Sequence, residues 1–147
     1  MNNFKNFLQE SLDRPYKWRW STKNEERWFG RFTTVHDKLF VDLTNIMGGE
    51  QWLLDFDIVG NKTKYANTGK RDSFKILSTV LAMLREFIPE VDPERIFFTG
   101  DKEEGKAKLY SMMLRKFQTD LKKLGYSSLI EDSYTKTRLE FTITKDK

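Results

Sequence analysis

Apolar residues fall along the chain in two rhythms, one helical and one alternating. Near the N-terminus Phe4, Phe7, Leu8 and Leu12 recur every three to four positions, which predicts a short amphipathic helix over 3–12, bounded by Pro15. Residues 16–34 set large aromatics (Trp18, Trp20, Trp28, Phe29, Phe32) among polar neighbours and predict extended chain. Asp37-Lys38 predicts a turn, and 39–46 alternates as a half-buried strand does. Gly48-Gly49 predicts the next turn. In the strand expected over 50–59, Trp52, Leu54, Phe56 and Ile58 share one face. Leu53, Asp55, Asp57 and Val59 share the other.

Residues 60–72 read as a loop from their Gly, Asn, Thr and Lys content. The wide stripe Phe74, Ile76, Leu77, Val80, Leu81, Leu84, Phe87 and Ile88 predicts a helix over 73–88. Asp72 or Ser73 caps it, and Pro89 and Pro93 are expected to end it. The run Ile96-Phe97-Phe98 suits a short central strand over 95–99. A second helix is expected over 106–124, burying Leu109, Tyr110, Met113, Leu114, Phe117, Leu121 and Leu124, with Gly125 as its C-terminal cap. Residues 127–130 and 138–144 read as a closing pair of strands. The order predicts an α/β (α+β) fold: a single mixed, mainly antiparallel sheet flanked by helices. It forms one domain over 14–147, preceded by the segment 1–13.

Composition narrows the chemistry. With 147 residues, 38% hydrophobic and 14% aromatic, the chain can build a core without staples. It has no cysteine, which excludes disulfides, thiolate nucleophiles and Cys-based zinc sites. His36 is the sole histidine, so a His-rich metal site or a Ser-His-Asp triad lacks its parts; no metal is expected and His36 is given no role. The net charge of +4 suits an acidic partner, whether a nucleic acid or a phosphate-bearing cofactor. No apolar run approaches the roughly 20 residues of a membrane span, and a secretory signal is lacking, so a soluble intracellular protein without a membrane partner is expected.

Four groups of residues could carry chemistry. In the loop 67–72, Gly69 is free to take a positive φ, and Lys70 and Arg71 could pair with phosphate ahead of Asp72, Ser73 and Phe74. A surface loop with an ordinary helix cap would look the same. Asp55 and Asp57 sit two apart on one strand face. Partly buried, one of them would gain a raised pKa and suit a general base; exposed, both are solubilising. Tyr110, at the start of a helix, could donate a proton into a cleft or simply fill the core. Between Arg14 and Arg31, Lys17, Arg19 and Arg27 interleave with Trp18, Trp20 and Trp28. Such a surface could stack bases and neutralise phosphates. A half-buried strand with a charged outer face gives the same pattern.

The succession strand, basic Gly loop, helix, strand, helix over 50–126 resembles the core of the GNAT N-acetyltransferase superfamily. In that superfamily the loop after the fourth strand and the start of the next helix cradle the acetyl-CoA pyrophosphate. The helix after the fifth strand often carries a Leu-Tyr pair and ends in a Gly-aromatic step, like Leu109-Tyr110 and Gly125-Tyr126 here. The resemblance implies a GNAT-like fold that binds acetyl-CoA through Gly69, Lys70, Arg71, Asp72, Ser73 and Phe74. It implies transfer of an acetyl group to an amine, with Asp57 or Asp55 as base and Tyr110 protonating the departing thiolate. The chain departs from the family's loop, which has Gln or Arg, two residues, Gly, one residue, then Gly or Ala: here Ala66 precedes Gly69 by three, and Arg71 takes the second small position.

The N-terminus, with Phe7-Leu8-Gln9-Glu10 before Ser11, resembles the capsid-targeting peptide of internal proteins of contractile-tailed bacteriophages. That resemblance implies cleavage after Glu10 and a phage protein found in the virion interior or the host cytoplasm. Its partner there would be a host protein or nucleic acid if it is not an enzyme.

Overall fold

The computed structural model describes residues 14–34, 37–46, 48, 50–58, 70–101, 106–132 and 137–147. Strands β1 (Trp18–Lys23), β2 (Arg27–Thr33), β3 (Lys38–Ile46) and β4 (Gln51–Ile58) come first. Helix α1 (Lys70–Val91), strand β5 (Arg95–Asp101), helix α2 (Lys106–Lys123) and strands β6 (Tyr126–Asp132) and β7 (Arg138–Lys145) complete the chain. The fold is α+β, with one mixed, mostly antiparallel sheet of seven strands in the order β1-β2-β3-β4-β5-β7-β6. Among the described residues no helix is long and apolar enough to cross a membrane. The segment 1–13, with its expected helix and phage-like peptide, lies outside the described residues.

The alternation fixes the faces. Trp28, Gly30 and Phe32 of β2, Leu39, Val41 and Leu43 of β3 and Trp52, Leu54 and Phe56 of β4 are all buried on one side. Ile96 and Phe98 of β5 and Phe141 and Ile143 of β7 continue that side. Both helices pack against it. Phe87 of α1 meets Trp28 and Trp52 edge-on at 5.2 and 5.0 Å. Tyr110 of α2 meets Phe56, Phe98 and Phe141. No described element covers the other side.

Two features depart from the expected pattern. The stretch 16–34 is a hairpin rather than one extended run. Asn24 turns it: its Oδ1 accepts from the N–H groups of Glu26 and Arg27, both at 2.9 Å. A bulge between Trp20 and Thr22 then shifts the register of β1 on β2. One extra residue turns Lys23 to the helix side, where its ammonium lies 4.5 Å from the Trp28 ring and 3.2 Å from Glu90.

Helix α1 also begins at Lys70, so Asp72 and Ser73 lie within its first turn rather than capping it, and it runs through Pro89 to Val91 instead of stopping before the proline. A proline so close to the end removes a single helical hydrogen bond, which the last turn tolerates. The ladder resumes at once, with the Asp92 N–H donating to Ile88 O at 2.8 Å. Asp92 in the left-handed region (φ 54°) makes the real stop. Gly125 closes α2 with φ 87°, as a C-terminal glycine does.

Candidate functional site

A parallel pair of neighbouring strands needs a crossover, and α1 supplies it between β4 and β5. Their ladder is short, pairing only Gln51 with Arg95, Trp52 with Ile96 and Leu53 with Phe97. β4 nevertheless continues to Ile58, held by β3 along its whole length, from Ile46↔Gln51 to Leu39↔Ile58. β5 continues to Asp101, held by β7 as far as Asp101↔Arg138. The two strands therefore form a fork whose arms, 54–58 and 98–101, are each tied to an outer neighbour and not to each other. Crevices at the carboxyl ends of parallel strands, where the strand order switches, are the usual ligand sites of open α/β sheets.

The closed end of the fork is pinned. Glu50 O accepts from the N–H groups of Glu94 and Arg95 at 2.8 and 3.1 Å, and the Lys145 N–H donates to Glu94 O at 2.9 Å. The Glu50 carboxyl is raised above its ordinary range by a hydrogen bond with the Glu94 side chain and by that group's charge. The buried Tyr126 hydroxyl donates to Pro93 O. Burial, with the charge of Asp92, pushes the Tyr126 phenol up to about 12.

Tyr110 lies beneath the open part of the fork. Its ring centroid is 4.7 Å from Phe56 on one arm and 4.8 Å from Phe98 on the other, both near edge-on. It is 1% exposed. The sequence left Tyr110 between a cleft donor and a core residue; the structure packs its ring into the core, where it touches both arms.

The first half of α1 packs beside Tyr16. Its Thr79 Oγ1 accepts from the Tyr16 N–H at 2.8 Å, and the Lys75 ammonium lies 4.3 Å from the Tyr16 ring. Tyr16 stacks on Phe32, at the end of β2 that the register places level with the end of β4. The main chain of Lys70, Arg71, Asp72, Ser73 and Phe74 forms the opening turns of α1. Their side chains, and Gly69 itself, lie outside the described residues.

Asp55 lies on the face that the helices leave bare, and the side chain of Asp57 lies outside the described residues. Asp55 is exposed, and Asp57 pairs with Phe40 through the ladder. The helices pack on the Leu54 and Phe56 side, so Asp55 lacks the burial expected of a general base there.

The expected aromatic and basic surface divides between the two faces. The indole N–H groups of Trp18 and Trp20 both donate to Glu86 of α1, at 3.2 and 3.0 Å. Trp28 is buried against Trp20 and Phe87. Lys17, Arg19 and Arg27 remain exposed. The aromatics on the side of these cations are Phe29 and Phe40, stacked at 5.8 Å and 20°. The sequence signal for this pair was the adjacency of Trp28 and Phe29, since neighbours in a strand must point opposite ways.

A concavity of about 930 Å³ opens at the other end of the sheet, among Asn24, Glu26, Asn45 and Glu90. Its wall mixes these carboxylates and amides with Trp28, Trp52 and Val91, and it shares no residue with the arms of the fork.

The chain belongs to the DUF6934 family, a family of unknown function, whose profile matches residues 40–143. The match runs from within β3 to within β7 and includes both arms of the fork. No match was found among curated proteins.

Proposed function

We propose that the protein is a GNAT-type N-acyltransferase that moves an acetyl group from acetyl-CoA to an amine. The fork between β4 and β5 carries this reading, because it is a crevice at the carboxyl ends of the sheet's parallel pair. The described residues suit such a cofactor at two points. α1 is the element that follows β4 in the chain, and the N–H groups and dipole at a helix start favour a diphosphate. Beyond Leu53 and Phe97 the two arms are no longer paired with each other, which leaves their facing main-chain groups for a ligand.

Acetyl-CoA supplies an activated acyl group as its thioester. The chain must then take a proton from the attacking amine and return one to the leaving sulfur as the C–N bond forms and the C–S bond breaks. Asp57, on the β4 arm, is the base in this scheme. Tyr110, whose ring touches both arms, is the donor. Titrating the protein with acetyl-CoA by calorimetry should give saturable heat that Gly69→Asp abolishes. Tyr110→Phe should keep that heat and lose turnover. Absence of heat at high protein concentration rejects the reading.

The deep burial of Tyr110 favours a second reading, a non-enzymatic binding protein on the same scaffold. Its partner would be a host protein or nucleic acid. Both readings take the protein to act in phage infection, which the N-terminal resemblance supports, and an intact mass starting at Ser11 in material from the virion checks that point.

A further inference from the structure

Strands β1 to β3 carry five cations and one carboxylate, Asp42, and Lys17 lies just ahead of them. The bulge sends Lys23 to the helix side. The remaining cations stand on the bare face, where Asp42 is held at 2.9 Å by Arg27.

Arg19 and Arg31 are direct cross-strand partners. Like charges placed so are destabilising. Among the described residues neither makes an ion pair. Together with Lys17 they line a groove of about 530 Å³ whose described wall holds no carboxylate. Beside it, Phe40 pairs with Arg31 across the ladder and stacks on Phe29. The Arg27 and Arg31 guanidiniums lie 4.7 and 5.4 Å from the Phe29 ring centroid. Both rings are half-exposed.

We propose that this bare face of β1–β3 binds single-stranded nucleic acid. Phosphates sit over Lys17, Arg19 and Arg31, and bases stack on the Phe29–Phe40 pair. A phosphodiester relieves the repulsion between the two arginines, which nothing described in the fold does. Flat aromatics on an open sheet accept unstacked bases, and a duplex does not offer these. The proposal uses no residue of the fork, so the fate of acetyl-CoA binding does not decide it.

The test is fluorescence anisotropy of labelled 20-nucleotide single strands, DNA and RNA, titrated with the full chain at several salt concentrations. Log affinity should fall linearly with log salt. Arg19→Glu and Arg31→Glu should each weaken binding about tenfold or more and flatten that slope. Arg31→Glu also replaces the repulsion by an ion pair with Arg19, so its Tm should hold or rise; lost binding in a more stable fold is not a folding artefact. Phe40→Ala should weaken binding about tenfold with the slope unchanged. Lys122→Glu, on α2, should bind as the wild type does.

Absence of binding at 50 mM salt overturns the proposal. Equal affinity for duplex also overturns it, as does a Phe40→Ala variant that binds normally while heparin competes charge for charge; that result marks a plain polyanion patch. A dimer in light scattering that Arg31→Glu dissolves, without oligonucleotide binding, assigns the face to a second copy of the chain instead.

Discussion

On its helix side the sheet presents Trp28, Trp52, Phe56, Phe98 and Phe141, none more than 3% exposed. On the other side the same strands carry Phe29, Phe40, Leu53 and Phe97 half-exposed or open, Leu53 at 42%. Apolar area removed from water is the main source of stability, so nearly all of it comes from the first side. The second side is free to hold groups that folding alone would not choose, such as two facing arginines. Stability and the proposed recognition thereby fall on opposite faces of the same strands, carried by alternate residues.

Substitutions can break this division, and the largest effect belongs to the helix side. Tyr110→Ala should cost about 3–5 kcal/mol, because it empties the space between Phe56, Phe98 and Phe141. Denaturant midpoints measure it, and a loss under 1 kcal/mol would mean that the core does not converge on this ring. Tyr126→Phe should cost about 1–3 kcal/mol by leaving Pro93 O without its donor.

The same tyrosine gives a pH signature. Its phenol is raised from 10 to about 12 in the folded state, so the unfolded chain releases that proton first. The stabilisation is complete below pH 10 and fades as pH rises toward 12. Thermal melts should show this loss in the wild type and a smaller one in the Phe variant.

On the bare side, Phe40→Ala should cost about 0.2–1 kcal/mol, the value of a cross-strand pair. A loss as large as that for Tyr110 would show that this face is covered in solution. The smallest effect concerns Glu50, at the closed end of the fork. Its carboxyl, raised by the Glu94 side chain, favours folding when protonated. That contribution is present below the ordinary value of 4.5 and is lost as pH rises through the raised one. Glu94→Gln should flatten the stability profile over that interval, and an unchanged profile would discard the pairing.

Much of this was legible in the sequence. The alternation at Trp52, Leu54 and Phe56 gave β4 its faces, the stripe from Ile76 to Ile88 gave α1, and Gly125 marked the end of α2. The Asn24 turn was hidden because it holds no Gly or Pro and sits inside an aromatic and basic run. Pro89 misled because the cost of a proline depends on how many helical bonds follow it. Whether Trp28 or Phe29 faces the core is not in the pattern, since both are large and apolar. Gly30 and Phe32, in step with Trp28, decide it by packing under α1, where a Cβ on Gly30 would lie 2.6 Å from Met83 Cε. The fork could not be read at all, since a ladder ends where outer neighbours pull its strands apart, and β7, the outer neighbour of β5, is the last strand in the chain.

The extra residue in β1 has one more consequence. β1 is one of the two edge strands of the sheet, and among the described residues nothing pairs with its outer rim, where another chain could add itself and start a growing ribbon. Ser21 breaks the regular spacing of that rim halfway along, and Arg19 and Lys23 place charge on either side of the break. An incoming strand cannot match both halves at once, so the serine that reverses the faces of β1 also guards the protein against aggregation.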